Sequence, residues 1–452
     1  MARTNARATG ATAPRTHEGA IARRLTPLQT LRRSVLACLL FEDSFYESGE
    51  SIAERIARLT LEVAPEEAAA LAVEARGPYN LRHAPLWMLA SMARSKGHRG
   101  PLGKTIPQVV RRADELSELL AMYWKGQEYV AEDGTIKNAP VPAQLKKGLA
   151  AAFHKFDEYA LAKYDRANAV RLRDVLFLCH AKPRDEEEIA LWERLIAGTL
   201  KTPDTWEVAL SGGEDKAETF TRLMMEEKLG AMAFIRNLRN MEEAGVDADL
   251  IRAYGEKVKV DRVLPFRFIA AERHAPRYSG MLEEMLFRSI AGREKLPGNT
   301  AIMVDVSGSM TAQIAGRSEM TRIDVAAALA MIAREMCSGE VRIWAFGTKY
   351  AELPDRHGFA IRDSLHRVSV GNGTNMGACK VAIDAAFKYD RIIGISDTQS
   401  ADYVTAPEGT GYMLNVAAYQ NGVGYGPWNQ IDGFSAATLG WILEYESLLG
   451  EG

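Results

Sequence analysis

Residues 300–309 read TAIMVDVSGS and give the clearest indication of the fold. An apolar run from Thr300 ends in the carboxylate of Asp305, as expected for a buried strand that gives way to a polar loop. The pattern then continues as a helix over 323–336, a strand over 341–346, a helix over 376–387, strands over 391–397 and 412–419, and a helix over 441–449. Alternating strands and helices at this spacing predict a doubly wound α/β domain with a mostly parallel sheet.

A DxSxS motif follows the first predicted strand and places Asp305, Ser307 and Ser309 on one loop. One carboxylate and two hydroxyls at this spacing can direct three hard oxygen ligands to one point, which suits Mg²⁺, with Mn²⁺ as a substitute. Thr374, in the glycine-rich loop, and Asp397, at a strand end, would complete the set, Asp397 directly or through water. The alternative is that these Ser and Asp residues only cap a strand–helix turn.

This set of three loops resembles the metal-ion-dependent adhesion site of von Willebrand A domains. The resemblance implies a bound Mg²⁺ or other divalent cation with one coordination position left for a carboxylate of a partner protein. Many A domains have an aspartate after the loop threonine, whereas this chain has Asn375, which removes one negative charge near the cation. The role implied for the metal is docking or structural, not catalytic.

Residues 28–293 show helical periodicity, which starts with Leu28, Leu31 and Val35. Glycine and proline separate some fifteen short segments, and none has a convincing strand pattern. Short helices in series predict antiparallel pairs stacked into an α-solenoid, with irregular repeats because no fixed period appears. The change of character at 296–298 predicts a helical domain over 28–296 and an α/β domain over 297–452, so that the chain is mainly α.

The first 27 residues are rich in Ala, Thr and Arg and are expected to form a disordered tail, with an organellar transit peptide as the alternative. No secretory apolar segment and no apolar run of roughly 20 residues is present in the sequence. Four widely spaced cysteines predict reduced, buried thiols. These features, with a 47% hydrophobic and 25% charged composition, predict a globular cytoplasmic protein with no membrane partner.

Charge is distributed unevenly along the chain. Residues 1–182 carry 27 Lys and Arg against 20 Asp and Glu, whereas residues 301–452 carry 11 against 17. An anionic partner for the first part and a cation for the second are the simplest electrostatic expectation.

Several helical segments resemble the Ro autoantigen family, which combines a TROVE domain with a von Willebrand A-like domain. The segments are LRRSVL at 31–36, FEDSFYESG at 41–49, RHAPL at 82–86, KYDR at 163–166, LFLCHAKP at 176–183 and PFRF at 265–268. The resemblance spans roughly 28–450 and implies HEAT-like helical pairs that curve into a ring closed by the A-like domain. It also implies a basic lining that accepts the ends of misfolded or structured RNA, and an outer face that binds small Y-like noncoding RNA.

The candidate RNA-binding residues are Lys163, Arg166, Arg171, His180, Lys182 and His83. Lysine and arginine would neutralise phosphates, and His180, the strongest candidate, would contact an unstacked base. The alternative is an ordinary solvated helix face, since Asp165 and Asp174 are interspersed among the cations. His83 is equally well explained as a helix-start residue that bonds to backbone.

P-loop, HExxH and GxSxG signatures are absent from the sequence, so no enzyme is expected. The predicted function is that of a Ro-like RNA-binding protein in RNA quality control, processing or decay, with a ribonuclease possible as a partner tethered through RNA. One rival is a protein-adhesion scaffold that uses the metal site and has no RNA role. A second rival is a metal-dependent hydrolase or nuclease, for which no general base near Asp305 is evident.

Overall fold

The structure is a computed structural model. It describes residues 15–16, 20, 25–36, 48–165, 168–291, 294–314, 319–417, 422–423, 426–433, 438–439, 442–443 and 445–446.

The described residues before 292 form sixteen α-helices. These are α1 Pro27–Leu36, α2 Gly49–Glu62, α3 Pro65–Arg76, α4 His83–Arg94, α5 Leu102–Val109, α6 Asp114–Trp124, α7 Ala143–Phe153, α8 Glu158–Tyr164, α9 Leu172–Cys179, α10 Glu186–Ala197, α11 Trp206–Ser211, α12 Lys216–Met225, α13 Ala231–Glu243, α14 Ala248–Lys257, α15 Phe266–His274 and α16 Ser279–Arg288.

Helix α10 shows ordinary capping chemistry at both ends. Asp185 accepts a hydrogen bond from the backbone N–H of Glu188 at 2.9 Å and begins α10, where three glutamates in the first turn favour the positive end of the helix dipole. Gly198 ends the same helix with φ of +72°, a conformation that glycine adopts at little cost.

Helices pack on neighbours one and two positions away, as in α-helical repeats: α3 contacts α4 and α5, α5 contacts α7, α13 contacts α15, and α14 contacts α16. Helices α5 and α7 approach each other closely, since a Cβ added at Gly148 would lie 2.5 Å from Ile106 Cδ1. Only glycine lets the two helices pack at this separation.

The second part of the chain is an α/β domain. Its elements are β3 Thr300–Asp305, α17 Arg322–Glu335, β4 Val341–Phe346, β5 Tyr350–Glu352, α18 Phe359–Arg367, α19 Met376–Ala386, β6 Arg391–Ser396, β7 Thr410–Asn415 and β8 Trp428–Asp432. The strand order is β5-β4-β3-β6-β7-β8, with β5 antiparallel and the others parallel. The predicted fold class, a helical repeat followed by a doubly wound α/β domain, is confirmed.

Helix α17 connects the two parts of the molecule. Twelve of its fourteen residues are buried, because it packs against β3 and β6 on one side and against α15 and α16 on the other. Burial on all sides explains its continuous apolar sequence over Val325–Ala333.

A β-hairpin in the helical region was missed by the sequence analysis, which expected no strand there. Strands β1 Glu128–Val130 and β2 Ile136–Asn138 pair antiparallel around a turn with Gly134 at φ of +78°. All six strand residues are exposed, so the alternation of buried and exposed side chains that identifies a strand is absent.

The predicted disordered tail and closing helix fall largely outside the described residues. In the tail, however, Thr16 and Ala20 are buried, and the Thr16 hydroxyl donates a hydrogen bond to the Ser400 carbonyl at 2.7 Å. At these two positions the chain departs from the disorder expected there. In the predicted closing helix, Ile442 is buried and Glu446 pairs with Arg391 at 2.5 Å.

Within the described ranges, no helix combines the length and apolar character needed to cross a bilayer.

Candidate metal centre and nucleic-acid interface

The five predicted metal ligands lie at the carboxyl edge of the sheet. Asp305 is the last residue of β3, and Asp397 directly follows β6, the neighbouring strand. Ser307, Ser309 and Thr374 stand on the two adjoining loops, and all five side chains are almost completely buried. The Gly308 N–H donates to the Asn372 carbonyl at 2.9 Å, which holds the DxSxS loop against the glycine-rich loop that carries Thr374.

Hydrogen bonds fix the orientation of the two carboxylates. Asp305 accepts from the Ser307 backbone N–H at 2.8 Å and from the Ser396 hydroxyl at 2.6 Å. Asp397 accepts from the Gln399 backbone N–H at 3.0 Å. The hydroxyl oxygens of Ser307 and Ser309 are 3.3 Å apart, so the oxygens of the DxSxS loop converge.

The electrostatics of this site favour a cation. Burial, followed by repulsion from Asp397, raises the pKa of Asp305 to about 7. Burial also raises the pKa of Asp397, although a hydrogen bond from Ser309 opposes the effect. Two carboxylates buried side by side are stable as anions only with a compensating positive charge, and hard oxygen donors match Mg²⁺. The residues therefore fit the divalent cation that the motif implies.

The five predicted metal ligands include three hydroxyl oxygens and only two carboxylates, so they do not form a cluster of acidic and histidine side chains. In the described part of the chain, no group of three His, Cys, Asp or Glu side chains could hold a metal ion. A cation at the DxSxS loop would depend on hydroxyl oxygens and water as well as on Asp305 and Asp397.

Asn375 has a structural role that an aspartate could not perform. Its side-chain amide donates to the Thr348 carbonyl at 2.9 Å, and its backbone N–H donates to the Gly347 carbonyl at 2.8 Å. A carboxylate at this position would face the Thr348 carbonyl without a proton to donate.

Two residues that support this edge of the sheet were not among the sequence candidates. Ser396 binds Asp305, and only its position before Asp397 in the RIIGISD strand could have indicated it. Arg33, on α1, is fully buried and donates to the Asp397 carbonyl at 3.3 Å and to the Thr398 hydroxyl. Thr398 has φ of +60°, an unfavourable conformation for a β-branched residue that this contact helps to hold.

Two predicted RNA-binding residues, Lys163 and Arg171, lie beside Tyr164, and a third, His83, lies within electrostatic range of Arg112. His83 begins α4, and its Nε2 is 3.9 Å from Glu118 Oε2. Arg112 stacks over the Tyr164 ring at 4.5 Å, and Lys163 Nζ is 5.8 Å from the same ring. Arg171 pairs at 3.4 Å with Asp165, the residue after Tyr164. We call His83, Arg112, Lys163, Tyr164 and Arg171 the Tyr164 patch.

The charge state of His83 follows from its surroundings. Burial and the neighbouring charges of Arg82 and Arg112 lower its pKa to about 4. The imidazole is therefore neutral at pH 7, so it can hydrogen-bond to a ligand but adds no positive charge.

The other predicted residues form a second group. His180 follows α9 with φ of +54°, and its Nε2 is 3.5 Å from Lys146 Nζ on α7. Phe177, one helical turn earlier, is 57% exposed, and Lys182 is exposed as well. We call Lys146, Phe177, His180 and Lys182 the His180 patch. Helix α9, about 12 Å long, separates Arg171 from His180.

Arg166 lies outside the described residues. Lys146, Arg112 and Phe177 were not among the sequence candidates. The signal available in the sequence for Phe177 was its place in the LFLCHAKP motif, close to His180 and Lys182. Lys146 and Arg112 join their groups only through helix packing.

The fold defines the class of protein as an α-helical repeat joined to an α/β domain. A crystal structure of the Ro (RSR) protein of Deinococcus radiodurans matches with a TM-score of 0.56 over 91% of this chain and 97% of that chain, at 17% sequence identity. The likeness at that identity is one of fold.

Comparison of sequences adds a match to one protein family over part of the chain. The TROVE domain family matches residues 186–276. Mouse (Mus musculus) telomerase protein component 1 is 36% identical over 121 residues, which cover 25% of this chain and 4% of that protein. The chain thus spans only a small part of this curated relative. The TROVE match thus covers part of the helical region, and the likeness to the Ro (RSR) protein is one of fold.

Proposed function

We propose that this chain is an RNA-binding protein that holds structured or misfolded RNA and a small Y-like noncoding RNA, and that it acts in RNA quality control, processing or decay. The observation that carries the proposal is that Lys163 and Arg171 lie beside Tyr164, and His83 lies within electrostatic range of Arg112, which stacks on the Tyr164 ring, in a chain with a TROVE match. These residues come from three separate helical elements, and a merely solvated helix face would require no such meeting.

The chemistry of the two patches suits single-stranded RNA. Lys163, Arg171, Lys146 and Lys182 supply charge for phosphates. Phe177, 57% exposed, offers a ring on which an unstacked base can lie, as does Tyr159, which is 44% exposed and lies 5.6 Å from Lys163 Nζ beside the Tyr164 patch. His83, neutral at pH 7, can hydrogen-bond to a base edge.

The α/β domain has a separate part in the proposal. Asp305, Ser307, Ser309, Thr374 and Asp397 would hold Mg²⁺ or Mn²⁺ in a site of the von Willebrand A type. The cation would neutralise the two buried carboxylates and offer a coordination position to a carboxylate of a protein ligand. We propose no catalytic step here. A ribonuclease would reach the protein through bound RNA, in the cytoplasm.

The test is RNA binding by the Lys163→Ala/His180→Ala variant. A matched control is Lys388→Ala/His357→Ala, which removes the same residue types from exposed positions in the α/β domain. Because each phosphate contact contributes roughly 0.7–0.9 to the slope of log K against log salt, we expect weaker binding and a slope reduced by about one in the first variant only. Equal losses in both variants, or none, would refute the RNA-binding face.

The adhesion rival makes an opposite prediction. Protein partners that remain bound after nuclease treatment and are released by chelator would assign the main role to the metal site, with no RNA role.

A further inference from the structure

A basic pocket of about 390 Å³ lies where the helical region meets the α/β domain. Helices α13 and α15 form its walls, and the segment before α17 closes one side. Its polar lining consists of Arg236, Arg239, Asn240, Arg267, Arg273, His274 and Glu319. The pocket is separate from the Tyr164 and His180 patches and from the DxSxS loop.

The pocket carries more positive charge than its own acids neutralise. Arg273 is paired with Asp324 at 2.9 Å, His274 is 3.3 Å from Glu319, and Arg239 is 3.5 Å from the exposed Glu243. Across the residues that the structure describes, no carboxylate lies within ion-pair distance of Arg236 or Arg267.

Arg236 and Arg267 face the same space from different helices. Arg236 is exposed on α13, whereas Arg267 is partly buried on α15 with its guanidinium 5.0 Å from the Phe266 ring. Burial and the charge of Arg236 both lower the pKa of Arg267. Two guanidinium groups in mutual repulsion are stabilised by a shared anion, and arginine binds phosphate oxygens with two parallel hydrogen bonds.

The size and remaining lining indicate more than a bare anion. Met232, Ile235 and Met320 give the pocket an apolar side, and the Asn240 amide adds a neutral hydrogen-bonding group. The volume falls within the range of small-molecule sites, in which a few polar groups orient a largely apolar contact. A phosphate alone would leave this apolar side unused.

We propose that this pocket binds a free phosphorylated ligand of nucleotide size, with the phosphate between Arg236 and Arg267 and the rest of the molecule against Met232, Ile235 and Met320. Glu319 and Met320 belong to the segment that leads into α17, so the bound ligand bridges the helical region and the α/β domain. This proposal does not depend on RNA binding at the Tyr164 patch.

The experiment is calorimetric titration of the full chain, without RNA, using adenosine 5′-monophosphate, adenosine and inorganic phosphate as probes. Arg236→Gln is the main variant, because its exposed side chain can be replaced without disturbing the core. Arg262→Gln is the control, an 82% exposed arginine shortly before α15 that does not line the pocket. Arg267→Gln is a second variant, interpreted alongside its Tm.

We expect the monophosphate to bind more tightly than either adenosine or inorganic phosphate and to raise the Tm. Arg236→Gln should weaken its binding by about tenfold or more, as for loss of one charge-assisted hydrogen bond, while Arg262→Gln leaves it unchanged. Equal binding of adenosine, absence of monophosphate binding, or binding insensitive to Arg236→Gln would overturn the proposal. Loss of RNA affinity in Arg236→Gln, without monophosphate binding to the wild type, would overturn it in favour of an RNA strand.

Discussion

The buried carboxylate pair at Asp305 and Asp397 should make stability depend on both pH and divalent cation. With the cation removed by chelator, the folded protein holds a proton on Asp305 up to a pKa of about 7, whereas the unfolded chain releases it near 3.8. Between these two pKa values the folded state binds the proton more tightly than the unfolded chain does. The free energy of unfolding is therefore highest below pH 3.8 and falls as the pH rises to about 7. Above that pH no further loss comes from this group.

The size of the effect follows from the two pKa values. A difference from 3.8 to about 7, at about 1.4 kcal/mol per pKa unit, corresponds to a loss of about 4 kcal/mol between acidic and neutral pH. For a cooperative unit of roughly 150–250 residues, at about 2–4 °C per kcal/mol, that loss would lower the Tm by about 8–16 °C. A cation reverses the effect, because it binds the deprotonated pair, and at one hundred times its Kd it restores about 2.7 kcal/mol.

The assay is thermal unfolding from pH 5 to pH 8 for the wild type and for Asp305→Asn, each in chelator and in excess Mg²⁺. The difference between the two proteins removes contributions from histidines and other shared groups. We expect Asp305→Asn in chelator to gain on the wild type as the pH rises, and Mg²⁺ to stabilise only the wild type. A constant difference across this pH range in chelator would refute the reasoning.

Three further predictions concern single side chains. In urea unfolding, Glu115→Gln should reduce the free energy of unfolding by about 3–5 kcal/mol. The reason is that the buried Arg76 guanidinium would lose its charge partner, the Glu115 carboxylate 2.5 Å away. A loss below about 1 kcal/mol would contradict this prediction. Gly148→Ala should lower the free energy of unfolding by about 1–3 kcal/mol in the same measurement, because the new Cβ would overlap Ile106. An unchanged urea midpoint would show that α5 and α7 can move apart without cost. Phe177→Ala should leave the Tm unchanged but weaken RNA binding by about 1–3 kcal/mol in a filter-binding assay; equal affinity would exclude base stacking at this ring.

The sequence predicted most of what depends on residues close together in the chain. The strands at Thr300–Asp305, Val341–Phe346 and Arg391–Ser396 were expected at nearly their observed bounds, because strands buried on both faces consist mostly of apolar residues. Short exposed elements escaped prediction for the opposite reason, as in the hairpin at 128–138, where no strand residue is buried.

The candidate sites divide along the same line. The spacing of Asp305, Ser307 and Ser309 within one loop can be read directly from the sequence. Asp397 also follows a strand of the parallel sheet, so it must lie at the same edge of that sheet. The domain boundaries, the metal ligands and the RNA-binding residues named from sequence stay predictions until they are measured. Splitting of the basic cluster into two patches was not foreseeable, since it depends on which end of α9 each residue occupies and on the helices packed beside it.

The sequence alone indicated a helical region followed by alternating strands and helices, the DxSxS loop and the basic motifs, because each is set by the chemistry of neighbouring residues. Only the tertiary structure brought Arg33 to the Asp397 loop, 364 residues away in the chain, and placed Arg236 opposite Arg267 in one pocket. These long-range contacts depend on how whole helices pack. Helix packing follows from the shapes of many buried side chains and not from any local sequence pattern.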